Sequence, residues 1–533
     1  MPLALSYPGV YIEEIPSGVR TITGVATSIA AFIGRTVTGP VNDPVTISSF
    51  ADFERRFGGL DVSYPLSYAV QQFYQNGGGR AIVVRLYKAD GGNAANATIK
   101  IAGTDASKPL LLTALSPGTA GNALRARVDY NVSADVATKY GLVKEDLFNL
   151  TVRQTPSGPE EKLLNLSLKE SPRRVDRVLA TDSGFVSIAD FSTAGFPKAH
   201  GDPDPGNTLW NDDKASTKVV DAAFDSAALD EAAFKGELAQ KSGLYALEKT
   251  DLFNLLCIPP DERDGDVPVP VYQAALNYCV KRRAMLVVDA PTGWKDANDV
   301  FANSGQKITD LGLNGTNARN AALFYPRIVA QDPLRGSQTD VFVPCGAVAG
   351  VMARTDGQRG VWKAPAGIDA AVNGIVGLET PLTDDENGLL NPLGVNCLRT
   401  FPIIGPVVWG SRTMRGADLL ADDYKYIPVR RLALFIEESL YRGTQWAVFE
   451  PNDEPLWAQI RLNIGAFMHD LFRRGAFQGQ TPAAAYFVKC DKDTTIQNDI
   501  NLGIVNIIVG FAPLKPAEFV VVQIQQMAGQ VVA

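Results

Sequence analysis

Histidine and regularly spaced cysteine are scarce in this sequence of 533 residues. Its two histidines lie far apart, and His469 adjoins Asp470 on a predicted helix, where neighbouring side chains diverge by about 100°. The other histidine is His200, and the five cysteines, which have no C-x-x-C spacing, are Cys257, Cys279, Cys345, Cys397 and Cys490. Serine triads, histidine-based zinc sites and a disulfide framework are therefore disfavoured. We expect reduced, mostly buried thiols, no catalytic residues, no metal and no cofactor.

Net positive charge, long apolar runs and a secretory leader are also missing. The formal net charge is −8, which disfavours a general nucleic-acid binder because such a protein needs a basic surface. No apolar run approaches the ~20 residues of a membrane-spanning helix. The N-terminal stretch MPLALSYPGV has neither a basic n-region nor an apolar h-region. We expect assembly in the cytosol, no nucleic-acid partner and no direct membrane insertion.

Motifs for phosphate binding and acid–base chemistry are equally scarce. There is no Walker A motif and no G-x-G-x-x-G after a strand. The run NGGGR at residues 76–80 follows a predicted helix and precedes a strand, which is the reverse of a phosphate loop and typical of a turn. Carboxylate pairs such as Asp384–Asp385 are most simply solvated surface groups. The sequence therefore predicts a protein that is not an enzyme.

What the sequence does contain is a set of apolar runs typical of an α/β core. SIAAFIGRT and RAIVVRLY predict buried strands, and between them Ser48 or Ser49 begins a helix on which Phe50, Phe53 and Phe57 recur. Later in the chain, LFNLLCIPP, AMLVVDAP and NAALFYPRIVA alternate with helical stretches. This alternation predicts a largely parallel sheet covered by helices on both faces.

Changes in composition divide the chain into six segments. Short strand candidates with Gly, Pro, Asn and Asp punctuation between residues 89 and 240 predict a separate, mostly-β domain inserted into the core. The remaining segments are an N-terminal β arm at 1–24, two parts of the core domain at 25–88 and 241–400, a C-terminal domain at 401–502 and a C-terminal β arm at 503–533.

Both ends of the chain contain extended segments. YPGVYIEEIPSGVRTITGV at residues 7–25 predicts a strand over 10–15, followed by a Pro-Ser-Gly break. A strand pair is predicted over residues 503–526 from the runs GIVNIIVG and AEFVVVQIQQ, which are separated by FAPLKP. In the second strand, Val520, Val522 and Ile524 share one face. Such strands pair either within one subunit or with a neighbour. The intervening breaks act either as hinges or as simple turns.

Two further segments have distinctive patterns. LWAQIRLNIGAFMHDLFRR at 456–474 predicts an amphipathic helix with arginines outside its apolar face. VPCGAVAGVMARTDGQRGVWKAPAG at 343–367 predicts a polar network that braces a turn, with a tryptophan packed beneath it. A role of this network in contacts between subunits is the alternative interpretation. Its residues are Arg354, Asp356, Arg359, Trp362 and Lys363.

These segments, together with FYQNGGGRAIVVR, resemble the tail sheath proteins of contractile phage tails and contractile injection systems. The resemblance covers about residues 7–88 and 243–530, in the family's order. It implies that 89–240 is a variable outer domain, to which no residue role is transferred, and that 401–502 is an inner domain facing the tube. It implies a non-enzymatic subunit, assembled in the bacterial cytoplasm, that stacks as hexameric rings in a helical tube. The implied partners are further copies of the chain, an inner tube protein, and baseplate and tail terminator or cap proteins. Contraction of the sheath drives the inner tube into a target envelope.

The resemblance also implies roles for particular segments. The core domain is expected to have a subtilisin-like topology, although this chain lacks a convincing histidine partner for a protease. Terminal arms of neighbouring subunits are expected to interlock in one small sheet, and a helix of the C-terminal domain is expected to face the inner tube. The candidate arm residues are Val10, Tyr11, Ile12, Glu13, Val520, Val521, Val522, Gln523 and Ile524, and the tube-facing candidates are Arg461, Arg473 and Arg474.

Two other functions compete with the sheath. A hydrolase on an α/β sheet would need a clustered nucleophile and base, which the two separated histidines disfavour. A capsid-surface protein or adhesin would use residues 89–240 as its binding module. Electron micrographs distinguish these classes, because a sheath forms cross-striated tubes.

Overall fold

The computed structural model describes residues 20–92 and 94–524, which form a mixed α/β fold with several sheets. The strands, numbered in chain order, are β1 (Ala30–Gly34), β2 (Val45–Ile47), β3 (Ala81–Arg85), β4 (Thr98–Ile101), β5 (Leu110–Ala114), β6 (Leu124–Asp129), β7 (Leu147–Gln154), β8 (Glu160–Ser167), β9 (Val186–Ile188), β10 (Thr217–Asp221), β11 (Leu255–Cys257), β12 (Met285–Asp289), β13 (Ala321–Tyr325), β14 (Ile328–Asp332), β15 (Gln338–Phe342), β16 (Gly377–Leu378), β17 (Val395–Phe401), β18 (Gly405–Val408), β19 (Tyr486–Lys489) and β20 (Ile508–Phe511). The α-helices are α1 (Phe50–Phe57), α2 (Pro65–Gln75), α3 (Ala134–Lys139), α4 (Val175–Asp182), α5 (Glu231–Lys235), α6 (Val269–Lys281), α7 (Ala297–Asp310), α8 (Cys345–Arg359), α9 (Asp384–Leu390), α10 (Ile427–Gly443), α11 (Glu454–Arg473), α12 (Pro482–Ala485) and α13 (Gln497–Asn501).

The central domain is built on an eight-stranded sheet with the order β18-β17-β13-β12-β11-β1-β3-β2. Six neighbouring strands are parallel, and the edge strands β2 and β18 are antiparallel. The strands AAFIG, MLVVD and AALFY are buried along their whole length, with one apolar core on each face of the sheet. The predicted buried, largely parallel sheet is therefore confirmed.

Helix α1 illustrates how local sequence sets these elements. Ser49 adopts an extended conformation and its hydroxyl accepts a hydrogen bond from the Asp52 amide, so it is the N-cap. Gly58 ends the helix with a left-handed conformation, φ 87°. Phe53 is buried and stacks on Phe57, at a ring-centroid distance of 5.4 Å. The predicted helix after Ser48 or Ser49 is confirmed.

The inserted domain is a seven-stranded sheet with the order β8-β7-β6-β10-β4-β5-β9, in which all pairs are antiparallel. Its strands alternate in burial, as in LRARVD, and its core runs from Ala97 to Ala223. Leu229 and Phe234 pack instead into the central domain. The core of the inserted domain thus ends before residue 240, because apolar side chains between residues 224 and 240 pack in the core of the large sheet instead.

The C-terminal domain forms a fourth core around α10, α11 and the two-stranded sheet of β19 and β20. The central domain extends beyond residue 400, its predicted end, because β17 and β18 continue the large sheet to Val408 and Ile427 packs in its core. No helix in 20–92 or 94–524 combines the length and apolar character needed to cross a membrane.

Candidate assembly site

The small sheet of β19 and β20 has open edges. The two strands are antiparallel, with Tyr486 opposite Phe511 and Lys489 opposite Ile508. No further strand of the described residues pairs with either one. One face of the sheet packs on the C-terminal core, while Phe487 and Ile508 on the other face are about half exposed. Strands with open edges and an apolar face are templates to which another strand adds.

Beyond β20 the chain leaves this domain and reaches the central one. The Ala512 amide donates to the Ala485 carbonyl at 2.8 Å, and the Gln478 amide donates to the Ala512 carbonyl at 2.9 Å. Six residues later, Glu518 lies against the central domain, where it contacts Arg412. The tail therefore bridges the two domains of its own subunit.

Arg412 and Glu518 form a bidentate ion pair, in which the Arg412 side chain is fully buried and the Glu518 side chain is 18% exposed. The Arg412 Nε donates to Glu518 Oε1 at 2.6 Å, and its Nη2 donates to Oε2 at 2.7 Å. Asn391 Nδ2 and the Tyr426 hydroxyl donate to the same carboxylate at 3.0 and 3.1 Å. Burial alone would raise the pKa of Glu518, but the hydrogen bonds from Arg412 and Asn391 outweigh it and lower the pKa. The carboxylate is therefore held in its charged form.

The segment after Glu518 is apolar and exposed. Phe519, Val520, Val521, Val522 and Ile524 are 73%, 82%, 81%, 77% and 92% exposed, and Gln523 is exposed as well. None of residues 512–524 lies in a strand. A row of β-branched side chains in water is an unfavourable surface unless something covers it.

The predicted strand pair over 503–526 is therefore wrong within one chain. GIVNIIVG does supply β20, but β20 pairs with β19 rather than with AEFVVV. Val509 and Phe511 pack on the C-terminal core, while the tail after Pro513 leaves for the Glu518 site. The predicted arm residues Val10, Tyr11, Ile12 and Glu13 lie outside the described residues.

Residues 20–29 run across the junction between the C-terminal and central domains. The Arg20 amide donates to Asn463 Oδ1 at 3.0 Å, and the Val25 amide donates to Ser439 Oγ at 3.2 Å. The Ile29 amide then donates to Asn254 Oδ1 at 2.9 Å, where β1 begins. Side-chain amides and hydroxyls thus hold this extended backbone, so its path is fixed up to Arg20.

Helix α11 confirms the predicted amphipathic helix. Its apolar face is buried in the C-terminal core, whereas Leu462, outside that face, is 52% exposed. The buried apolar residues are Leu456, Trp457, Ile460, Ile464, Phe467, Met468 and Leu471. Arg473 is exposed, and Arg474 is near Asp470 at 3.7 Å and over the Trp362 ring at 5.6 Å. Arg461 donates to the Cys490 carbonyl and to Glu454 at 2.5 Å. Arg473 is therefore the least engaged of the three predicted tube-facing residues.

The five residues of 343–367 do not form one network around a turn, which corrects that prediction. Arg354, Asp356 and Arg359 lie on α8 and point to different neighbours. Arg354 donates to the carbonyls of Asn76 and Ala371 at 3.1 and 2.5 Å.

Arg359 is exposed, Trp362 packs against the C-terminal core, and the Lys363 amine donates to the Ala364 carbonyl at 3.3 Å. Asp356 pairs with Arg431 of α10 at 2.6 Å, with both side chains about 5% exposed or less. Arg431 also donates to the Thr27 carbonyl at 2.9 Å. A buried ion pair thus ties α8, α10 and the N-terminal segment together, and no local sequence pattern indicated it.

The carboxyl edge of the large sheet is where ligands bind in many α/β proteins. Asp289 ends β12, and its Oδ1 accepts from the Cys345 amide at 2.8 Å. Burial raises the pKa of Asp289 to about 7 and raises the pKa of the Cys345 thiol. His200 lies in the inserted domain, where Val128 and Thr217 bind its ring, and His469 contacts Tyr486. The structure does not bring a histidine to this edge.

Sequence profiles of two families match the chain. The phage tail sheath protein central domain matches residues 241–414, and the phage tail sheath C-terminal domain matches residues 421–527. Together these matches span more than half of the sequence. The comparison with curated proteins gave no match.

Solved sheath structures share the fold. The anti-feeding prophage helical sheath in its contracted state is 23% identical, with a TM-score of 0.55 over 98% of this chain and 100% of that one. The contracted PVC sheath complex of an extracellular contractile injection system is 20% identical, with a TM-score of 0.56 over 98% of both chains. The sheath tail protein Lin1278 from Listeria innocua is 14% identical, with a TM-score of 0.59 over 92% of this chain and 96% of that one.

Proposed function

The chain belongs to the phage tail sheath family, as a structural sheath protein of a phage tail or contractile injection system, and from this premise we propose how it acts. It polymerises as stacked hexameric rings around an inner tube, and it contracts to drive that tube through a target cell envelope. It has no enzymatic activity, and its central domain has a subtilisin-like topology that serves only as a scaffold. The parallel sheet covered by helices on both faces supports that topology.

The observation that carries the proposal is the pairing of an open sheet with an exposed apolar tail in one chain. Each copy offers the edges of β19 and β20, and each copy presents residues 519–524 without a partner strand among the described residues. In the assembly, the tail of one copy and the N-terminal β arm of another add to this sheet. Each backbone hydrogen bond so formed contributes about 0.5–1.5 kcal/mol, repeated at every lattice point.

The other partners follow from the same assembly. An inner tube protein contacts α11, where Arg473 and Arg474 are the most accessible of the three arginines proposed for this surface. Exposed charges suit a surface that must release the tube, because such ion pairs contribute about 0–1 kcal/mol each. Baseplate and tail terminator or cap proteins bind the two ends of the polymer. The subunits assemble in the bacterial cytoplasm and then form part of the particle.

Electron microscopy of the purified protein tests the proposal directly. We expect cross-striated tubes, and monodisperse particles under all assembly conditions would contradict it. Deleting residues 1–19 should leave a folded subunit that forms no long tubes. Tubes of normal length from this variant would exclude the N-terminal β arm from assembly.

A second test addresses the C-terminal β arm. Val522→Pro removes an amide proton and prevents continuous strand pairing, so tube formation should fail. Val522→Thr keeps a β-branched side chain and is the matched control. Because Val522 is 77% exposed in the single chain, both variants should fold with an unchanged melting temperature. Equal tube formation by the two variants would contradict strand addition at this segment.

A further inference from the structure

We propose that Glu518 is the anchor that ties the donated strand, residues 519–524, to the central sheet of its own subunit. The inference rests on the proposed function. It adds where the donated strand begins and which residues bear the tension on the C-terminal tail. It follows from a contrast within the tail, in which one charged residue paired with a buried arginine precedes a run of exposed apolar ones.

Glu518 is the single side chain of residues 514–524 with a hydrogen bond or ion pair in the described part of the chain. Its partner Arg412 is completely buried. The remaining Arg412 donors bind the Asn391 and Gly416 carbonyls at 2.8 and 3.2 Å and Asp418 at 3.0 Å. All three of these contacts come from Nη1, so Nε and Nη2 have no acceptor other than Glu518 among the described residues.

Arg412 is in turn fixed to the interior of the large sheet. Asn396 of β17 accepts from the Arg412 amide at 2.6 Å and donates to the Arg412 carbonyl at 2.7 Å. The same Asn396 amide donates to the Leu323 carbonyl of β13 at 3.0 Å. Tension on the tail is thus carried from Glu518 through Arg412 to two central strands, rather than to the hairpin of β19 and β20.

The anchor also sets the start of the donated strand. Residues up to Glu518 are committed to their own subunit, and the six residues from Phe519 to Ile524, when fully extended, span at most about 20 Å from the anchor. Asp418 shares the guanidinium with Glu518, and the two residues that follow it, Leu419 and Leu420, are exposed. The occupant is a second copy because every copy carries both this strand and the open edges of β19 and β20.

Variants of Glu518 test the anchor, with Lys515→Ala as the matched control. Lys515 lies three residues earlier in the tail and is exposed. For Glu518→Ala we expect a folded subunit whose tubes are shorter than those of the wild type by about fivefold or more, because each donated strand loses the charge-assisted pair that anchors it to its own subunit. Hydrogen exchange at residues 514–518 should be faster in the free subunit. Lys515→Ala should match the wild type in both measurements.

Glu518→Gln replaces Glu518→Ala in both measurements if the alanine variant does not fold, because glutamine keeps the size of the side chain and removes the charge. Tubes of wild-type length and stable contraction from a folded Glu518 variant would overturn the anchor and leave the proposed function intact. Failure of the wild type and Lys515→Ala to form tubes would instead contradict the proposed function. Unchanged hydrogen exchange at 514–518 in Glu518→Gln would overturn the anchor independently of assembly.

Discussion

At the scale of single residues, the buried acid Asp289 makes stability depend on pH. It is 4% exposed, its Oδ2 lacks a hydrogen bond among the described residues, and burial raises its pKa to about 7. A carboxyl with a raised folded-state pKa holds its proton longer when folded than when unfolded. Its contribution to stability is therefore present at low pH and declines as pH rises from about 4 to about 7.

Asp289→Asn tests this effect. The amide keeps an acceptor for the Cys345 amide and cannot ionise. Between pH 5 and pH 8, the free energy of unfolding of the variant should rise relative to that of the wild type by about 3 kcal/mol or less, measured by thermal melting at both pH values. Melting temperatures of the two proteins that differ by the same amount at both pH values would contradict the ionisation of Asp289 in the folded protein.

The ion pair of Asp356 and Arg431 gives a second prediction at this scale. Asp356→Ala leaves the Arg431 guanidinium buried and with one remaining acceptor, the Thr27 carbonyl. We expect a loss of about 3–5 kcal/mol in the free energy of unfolding, measured with denaturant. Arg359→Ala on the same helix is the control, because Arg359 is exposed, and it should change stability by about 0.5 kcal/mol or less.

At the scale of elements, the contact between α2 and α8 depends on glycine. A Cβ at Gly350 would lie 2.5 Å from the Phe73 carbonyl oxygen of α2, and one at Gly346 would lie 2.0 Å from the Ala69 carbonyl oxygen. Gly350→Ala must therefore separate the helices, at a cost of about 1–3 kcal/mol. Gly357 lies on the same helix with open space around it. Gly357→Ala should stabilise by about 0.5–1 kcal/mol, and equal changes in both variants would contradict this account.

The elements also show what the sequence could predict. Apolar runs such as AALFY identified the parallel strands, and the Ser49 cap and the helical period of 456–474 identified α1 and α11, because these signals lie within one element. The pairing of β19 with β20 and the pair of Arg412 with Glu518 were missed. Arg412 and Glu518 are 106 residues apart in sequence, and such a contact leaves no local periodicity.

At the scale of the whole molecule, the inserted domain meets the central domain at two adjacent crossings. The Ala227 amide donates to the Lys88 carbonyl at 3.0 Å, so the chain leaves and returns at one place. Arg85 links the two domains at this junction. It donates to Ser116 Oγ and the Pro117 carbonyl of the inserted domain. It also donates to the carbonyls of Thr36, Val37 and Gly39 in the central domain.

Replacing residues 89–226 with a short glycine linker should therefore leave a folded protein that still forms tubes. The crossing distance is already closed by a hydrogen bond, so the linker costs little loop entropy. Arg85 keeps its three acceptors in the central domain, which prevents a fully unpaired buried cation. Thermal melting and electron microscopy measure the two outcomes. A shortened protein that folds but forms no tubes would place a contact between subunits in the inserted domain. One that fails to fold would mean that the central domain depends on the two acceptors which that domain gives to Arg85.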